Sequence, residues 1–207
     1  MPSLIAHLSR ADQRELLDDL NYLNMAEIQA ICDRYAIPYV IWVEVPDGTR
    51  QKTGERDRKG VVLDRVRQFL RTGKVARETC FPAAVVRFEM PAQELSASDR
   101  LFYGQHDKKN RQVEELLKSL TNDAFADGAI ARILMREYWS AGKAPTFQEF
   151  AAAWLEARKE HTAPNPEWAF LTDRANKKAG ADWKKVRERK AKKVMDVLRR
   201  IGSDRRT

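Results

Sequence analysis

The chain has little of what most enzyme chemistry requires. Its 207 residues include 2 cysteines and 3 histidines. Cys32 and Cys80 sit in apolar settings, Ile31-Cys32 and Cys80-Phe81-Pro82, which argues against a disulfide framework and fits a reducing cytoplasm. Neither cysteine has a CxxC partner, His7, His106 and His161 are scattered, and His106-Asp107 is a lone dipeptide, so neither a metal site nor a cofactor is expected. There is no glycine-rich phosphate loop, nucleophile elbow or dinucleotide fingerprint. A nuclease would need carboxylates converging on a metal, but Glu188-Arg189-Lys190 after Asp182 falls in a helical run that scatters them around the axis. No apolar run approaches the roughly 18 residues of a membrane span, and the N-terminus lacks the basic start and unbroken apolar core of a signal peptide. The expectation is a non-enzymatic cytoplasmic protein with no membrane partner.

What the chain does have is charge in blocks. Its formal net charge of +8 divides into −5 over residues 1–49, +7 over 50–77, −4 over 78–173 and +10 over 174–207. Two short blocks carry all of the positive excess, a distribution that points to nucleic acid or another acidic partner.

Apolar periodicity gives a mainly α reading. A first helix over "RELLDDLNYL" can be capped by Ser9 or Asp12. A second starts with Asn24 as cap, places Ile28, Ile31, Cys32 and Tyr35 on one face, and stops at Pro38. In "YVIWVEVPDGTRQKTG", Val40, Trp42 and Glu44 alternate with Ile41, Val43 and Val45 before a Pro46-Asp47-Gly48 turn, the pattern of a β-hairpin. A third helix buries Val62, Leu63, Val66, Phe69 and Leu70 and ends at Thr72-Gly73, with Arg65, Gln68 and Arg71 outward.

Beyond it, Pro82 and Pro91 break up an irregular cover over 81–98, with a short strand expected at "AAVVRFEM". Four more helices follow: "NRQVEELLKSL"; "NDAFADGAIARILMREYWSAG" with Asn122 or Asp123 as cap; "TFQEFAAAWLEARKEH" opened by Thr146 and Glu149 in capping-box spacing; and the basic "GADWKKVRERKAKKVMDVLRRIG". Gly142 and Gly202 sit where helices end, and Trp168, Phe170 and Leu171 suggest a packed connection before the last helix. The expected division is 1–80, a basic N-terminal domain; 81–98, a linker; and 99–207, a helical domain with a basic C-terminal helix.

Leu23, Met25, Ala26, Glu27, Ile28, Ile31 and Cys32 in one helix, Ile37-Pro38 at its exit, and Lys59, Leu63, Val66 and Leu70 in the next form an order that resembles a SAP motif over about residues 22–72. The whole chain also resembles bacterial proteins of unassigned function that carry such a unit. The resemblance implies DNA binding through the loop and the start of the second helix. The loop differs from the family's short connection, since Tyr39 to Arg58 fill it with a hairpin.

Independently of the resemblance, phosphates attract cations on a turn and at a helix start, which makes Arg50, Lys52, Arg56, Arg58 and Lys59 candidate DNA-binding residues. Thr53 offers a hydroxyl, Gly54 a close approach, and Arg65, Gln68 and Arg71 an extension along the helix. Lys184, Lys185, Arg187, Lys192 and Lys193 form a second basic surface, equally readable as the solvated back of a docked helix. Trp139, Trp154, Trp168 and Trp183 read as core, and Trp42 on the basic hairpin stays open as a stacking surface. The expected partner is DNA, double-stranded in preference, at the nucleoid. The alternatives are a protein-protein adaptor whose helical half, around "APTFQEFAAAWLEA", makes the functional contact while the basic blocks keep it soluble or bind an acidic partner, and a nucleic-acid enzyme with an unrecognised site.

Overall fold

The computed structural model describes residues 3–89, 94–105, 111–160 and 180–203. Among the described residues there are 7 helices and a small three-stranded sheet, so the mainly α expectation holds with a small β part. In chain order the elements are α1 (Arg10–Asp19), α2 (Met25–Tyr35), β1 (Val40–Glu44), β2 (Arg50–Arg56), α3 (Lys59–Thr72), β3 (Cys80–Phe81), α4 (Arg111–Leu120), α5 (Ala129–Ser140), α6 (Phe147–Glu160) and α7 (Gly180–Ser203).

They belong to two compact units. One gathers the described residues of 1–40, 56–78 and 164–207, the other those of 41–55 and 79–163. The expected division followed the chain, but packing joins α7 to the N-terminal helices and takes most of the hairpin and the described residues of 79–98 together with α4, α5 and α6.

The first unit is built of α1, α2, α3 and α7. Ser9 caps α1, its Oγ accepting from the Asp12 N–H, and Asn24 opens α2 with a reciprocal capping box to Glu27. Ile28, Ile31 and Cys32 of α2 and Val62, Val66 and Leu70 of α3 share one core with Val194 and Leu198 of α7. Burial there pushes the Cys32 thiol up to about 11, so it packs as a small apolar group. Pro38 follows the end of α2 as expected, with Ala36 in the left-handed region.

One expectation for α3 is overturned. Arg65 is not outward but buried, 8% exposed; its Nη1 donates to Asp57 Oδ2 at 2.6 Å and to the Pro38 carbonyl at 2.8 Å. A guanidinium adjacent to an apolar stripe enters the interior when a carboxylate and a carbonyl can satisfy it there. Asp57 N–H in turn donates to the Tyr39 carbonyl at 2.8 Å. The residues on either side of the hairpin are thereby held together.

In the second unit β2, β1 and β3 form the sheet in that order, β1 and β3 running parallel with Trp42 opposite Cys80. Ile41, Val43 and Val45 are buried and Val40, Trp42 and Glu44 are half-exposed, matching the alternation in the sequence. The turn closes through Gly48 at φ 81 and two hydrogen bonds that the Thr49 N–H and hydroxyl donate to Asp47 Oδ1. Phe81 of β3 packs with Tyr103 and Trp139 as a tilted and edge-on trio, and Trp139 Nε1 donates to the Leu101 carbonyl at 3.0 Å.

Two expected features differ in this unit. The strand near 83–90 is replaced by Cys80–Phe81, after which Pro82 opens a 3-10 turn, Ala83–Val85, and Val86 makes a single bridge to Tyr103. Asn122 and Asp123 do not cap α5. Both adopt positive φ, the Asp123 N–H bonds back to the Lys118 carbonyl in closing α4, and α5 begins at Ala129 after Gly128. The Thr146–Glu149 capping box and left-handed Gly142 are present as expected. The connection bearing Trp168, Phe170 and Leu171 lies outside the described residues.

Because Asp57 and Arg65 are both buried, removing one leaves the other uncompensated. Asp57→Ala is expected to cost about 3–5 kcal/mol, whereas Asp57→Leu with Arg65→Met should recover most of it. Urea denaturation followed by circular dichroism measures both.

Candidate nucleic-acid interface

β2 is an edge strand, and every residue of it except Thr53 is exposed. Strand geometry puts Arg50, Lys52, Gly54 and Arg56 on one side, at alternate positions. The Arg50 guanidinium carbon lies 5.9 Å from the centroid of Trp42, and that of Arg56 lies 6.0 Å from Tyr39. A Cβ added at Gly54 would meet nothing within 4 Å, so packing does not demand this glycine.

The other side of β2 is occupied within the protein. Glu55 pairs with Arg136 at 2.9 Å, and Thr53 Oγ1 donates to the Ile41 carbonyl at 2.8 Å while accepting the Glu55 N–H. The Thr53 hydroxyl therefore serves the hairpin, contrary to the expectation of a phosphate donor. Burial, reinforced by the Glu55 charge, pushes the Tyr103 phenol up to about 12, so it stays neutral beneath the strand.

In the helical unit the expected site residues divide by environment. Gln68 and Arg71 are exposed on α3, one turn apart. Arg58 and Lys59 are half-buried at its start, where no side chain caps the helix and the first turn contains no acid. Lys59 Nζ donates to the Asn21 carbonyl at 2.6 Å, which orients it along the protein. Arg65 leaves the candidate set because its guanidinium is enclosed with Asp57.

The C-terminal basic surface divides the same way. Arg187, Lys190 and Lys193 follow one another at three-residue intervals and meet carboxylates: Arg187 bonds Glu27, Lys190 lies 2.6 Å from Asp19, and Lys193 lies 2.7 Å from Glu15. Arg187 also donates to the Tyr22 carbonyl, and Lys190 sits 4.4 Å over the Tyr22 ring. Arg187 and Lys193 are thus docking residues. Lys184, Lys185 and Lys192 are exposed, with no ion pair among the described residues. Lys190, the lysine of the nuclease-like triplet, is committed to Asp19, and the described residues contain no cluster of three or more potential metal ligands.

Three cations outside both basic blocks were not legible as a group. Arg87, Arg100 and Lys143, all exposed, line one cleft of about 890 Å³ in the second unit. They are isolated in sequence, so no charge run marks them.

The Asp19 hydrogen bond raises the Lys190 pKa above its ordinary value of 10.5. A cation whose folded pKa is raised adds stability in full below the unfolded value and loses it as pH rises through the folded one. The melting temperature is therefore expected to fall as pH climbs beyond about 10.5, with a smaller fall in Lys190→Met; scanning calorimetry across that range checks it. Compared with known proteins, the chain matches no family model, no curated protein and no solved structure, so its functional reading rests on its own residues.

Proposed function

We propose that the chain is a non-enzymatic DNA-binding protein that grips the phosphate backbone of duplex DNA, as the SAP-like order of α2, hairpin and α3 implies. The observation that carries this reading is the exposed edge strand β2, with Arg50, Lys52 and Arg56 at alternate positions. Cations presented in a row suit a row of phosphates, and the binding they give is largely independent of base sequence. Arg58 and Lys59, at a helix start with no acidic residue in its first turn, add a positive terminus, and Gln68 and Arg71 add a donor and a charge on α3. Lys184, Lys185 and Lys192 on α7 provide a secondary basic surface.

A second reading is favoured by the position of β2 at the sheet edge. Charged side chains there would keep another chain from adding a strand, with no nucleic acid involved.

One variant separates the two. Fluorescence anisotropy with labelled duplex over a range of salt should give a log affinity that falls linearly with log salt. Arg50→Ala, Lys52→Ala and Arg56→Ala together should make the slope shallower by about 0.9 for each phosphate that is no longer neutralised. Unchanged duplex binding, accompanied by self-association in light scattering, would replace DNA binding with the edge-guarding role.

A further inference from the structure

We infer that the second unit binds an acidic peptide segment of a partner protein in the cleft lined by Arg87, Arg100 and Lys143. The three cations come from separate parts of the chain, yet they line one cleft of about 890 Å³ with Phe102 and Tyr138 among its walls. That volume suits a few side chains of a ligand.

Among the described residues that line the cleft, three cations face one carboxylate, so the positive charge is only partly offset from within. That carboxylate, Glu149, is the reciprocal partner of Thr146 in the α6 capping box, accepting the Thr146 N–H at 2.8 Å. This bond is the main influence holding the Glu149 carboxyl below its ordinary value, and the Arg100 charge is the least. Asp99, in the adjoining cleft, is occupied by the Ser96 N–H and hydroxyl at 2.7 and 2.9 Å. Arg100 Nη1 donates to the Ala144 carbonyl at 2.7 Å, which fixes the guanidinium without cancelling its charge. The Arg87 guanidinium lies 4.2 Å from the Phe102 centroid, leaving its N–H edge for a carboxylate.

Among the described residues none of the three cations forms an ion pair. Cations set between aromatic walls match carboxylates alternating with apolar side chains. A duplex is a stiff convex rod that bears on a basic surface and does not enter a cleft of this size.

The test uses the full chain and a fluorescein-labelled peptide of alternating glutamate and leucine, read by anisotropy at low salt. Saturable binding is expected, weakened at least about tenfold by Arg87→Glu with Lys143→Glu, and unchanged by Arg50→Ala with Lys52→Ala. The last arm separates this cleft from the DNA-binding reading, whose failure would leave peptide binding intact.

Absence of peptide binding, equal binding by the cleft variant, or loss on changing Arg50 and Lys52 would overturn the proposal. So would a single-stranded oligonucleotide that requires Arg87 and Lys143 while the peptide does not bind. If circular dichroism shows the charge-reversed variant unfolded, Lys143→Gln must itself weaken the peptide, and unchanged binding there also overturns the proposal.

Discussion

The buried pair between Asp57 and Arg65 is the constraint on which the helical unit depends. Between α2 and α3 the chain leaves this unit after Val40 and returns at Arg56, an excursion far longer than two packed helices need. Arg65 reaches the Pro38 carbonyl on the outgoing side and Asp57 on the returning side, while the Asp57 N–H reaches the Tyr39 carbonyl. The exit and re-entry are thus held as closely as a short loop would hold them. Desolvating a guanidinium and a carboxylate is expensive, so the arrangement requires satisfied hydrogen bonds as well as opposite charge. The carbonyl of Pro38 supplies one of them, which makes the backbone at the end of α2 part of the ion pair.

Charge also organises the N-terminal helices against α7. The sequence places −5 in its first 49 residues and +10 in its last 34, and the fold brings parts of these opposite blocks together. Glu15, Asp19 and Glu27 meet Lys193, Lys190 and Arg187, while Val194 and Leu198 enter the core with Ile28 and Val66. Glu27 serves twice, since the carboxylate bonded to Arg187 also accepts the Asn24 N–H at the start of α2. Partly exposed ion pairs contribute modestly to stability. Their stronger effect is on register, because three cations at three-residue intervals have opposite-charge partners together in one axial setting of α7.

The elements were largely legible because their signals are local. Apolar alternation marked Ile41, Val43 and Val45 as the buried side of β1, and Thr146 with Glu149 marked the start of α6. Partner choice was less legible because it is decided across the fold. Arg65 sits where periodicity allows an outward side chain, but a carboxylate eight residues earlier draws it in. Asn122 and Asp123 have the chemistry of caps, and a left-handed turn uses them to end one helix instead of starting the next. The cleft cations had no sequence signal at all, since proximity in space between residues 87, 100 and 143 is a property of the packed unit.

Net charge is therefore a poor guide to an interface until each cation has been assigned its internal partner. Arg65, Arg187, Lys190 and Lys193 all belong to the basic excess, yet each has a carboxylate within the fold. Lys52 on β2 and Lys184, Lys185 and Lys192 on α7 are exposed and form no ion pair among the described residues. Bringing an anion to a cation already paired would sacrifice an existing contact, whereas bringing it to an exposed one mainly exchanges water and counterions. The cations that hold the helical unit together are thereby the least suited to external phosphates. On β2, by contrast, every residue except Thr53 is exposed, so its cations meet solvent outside the core and the helix-docking contacts.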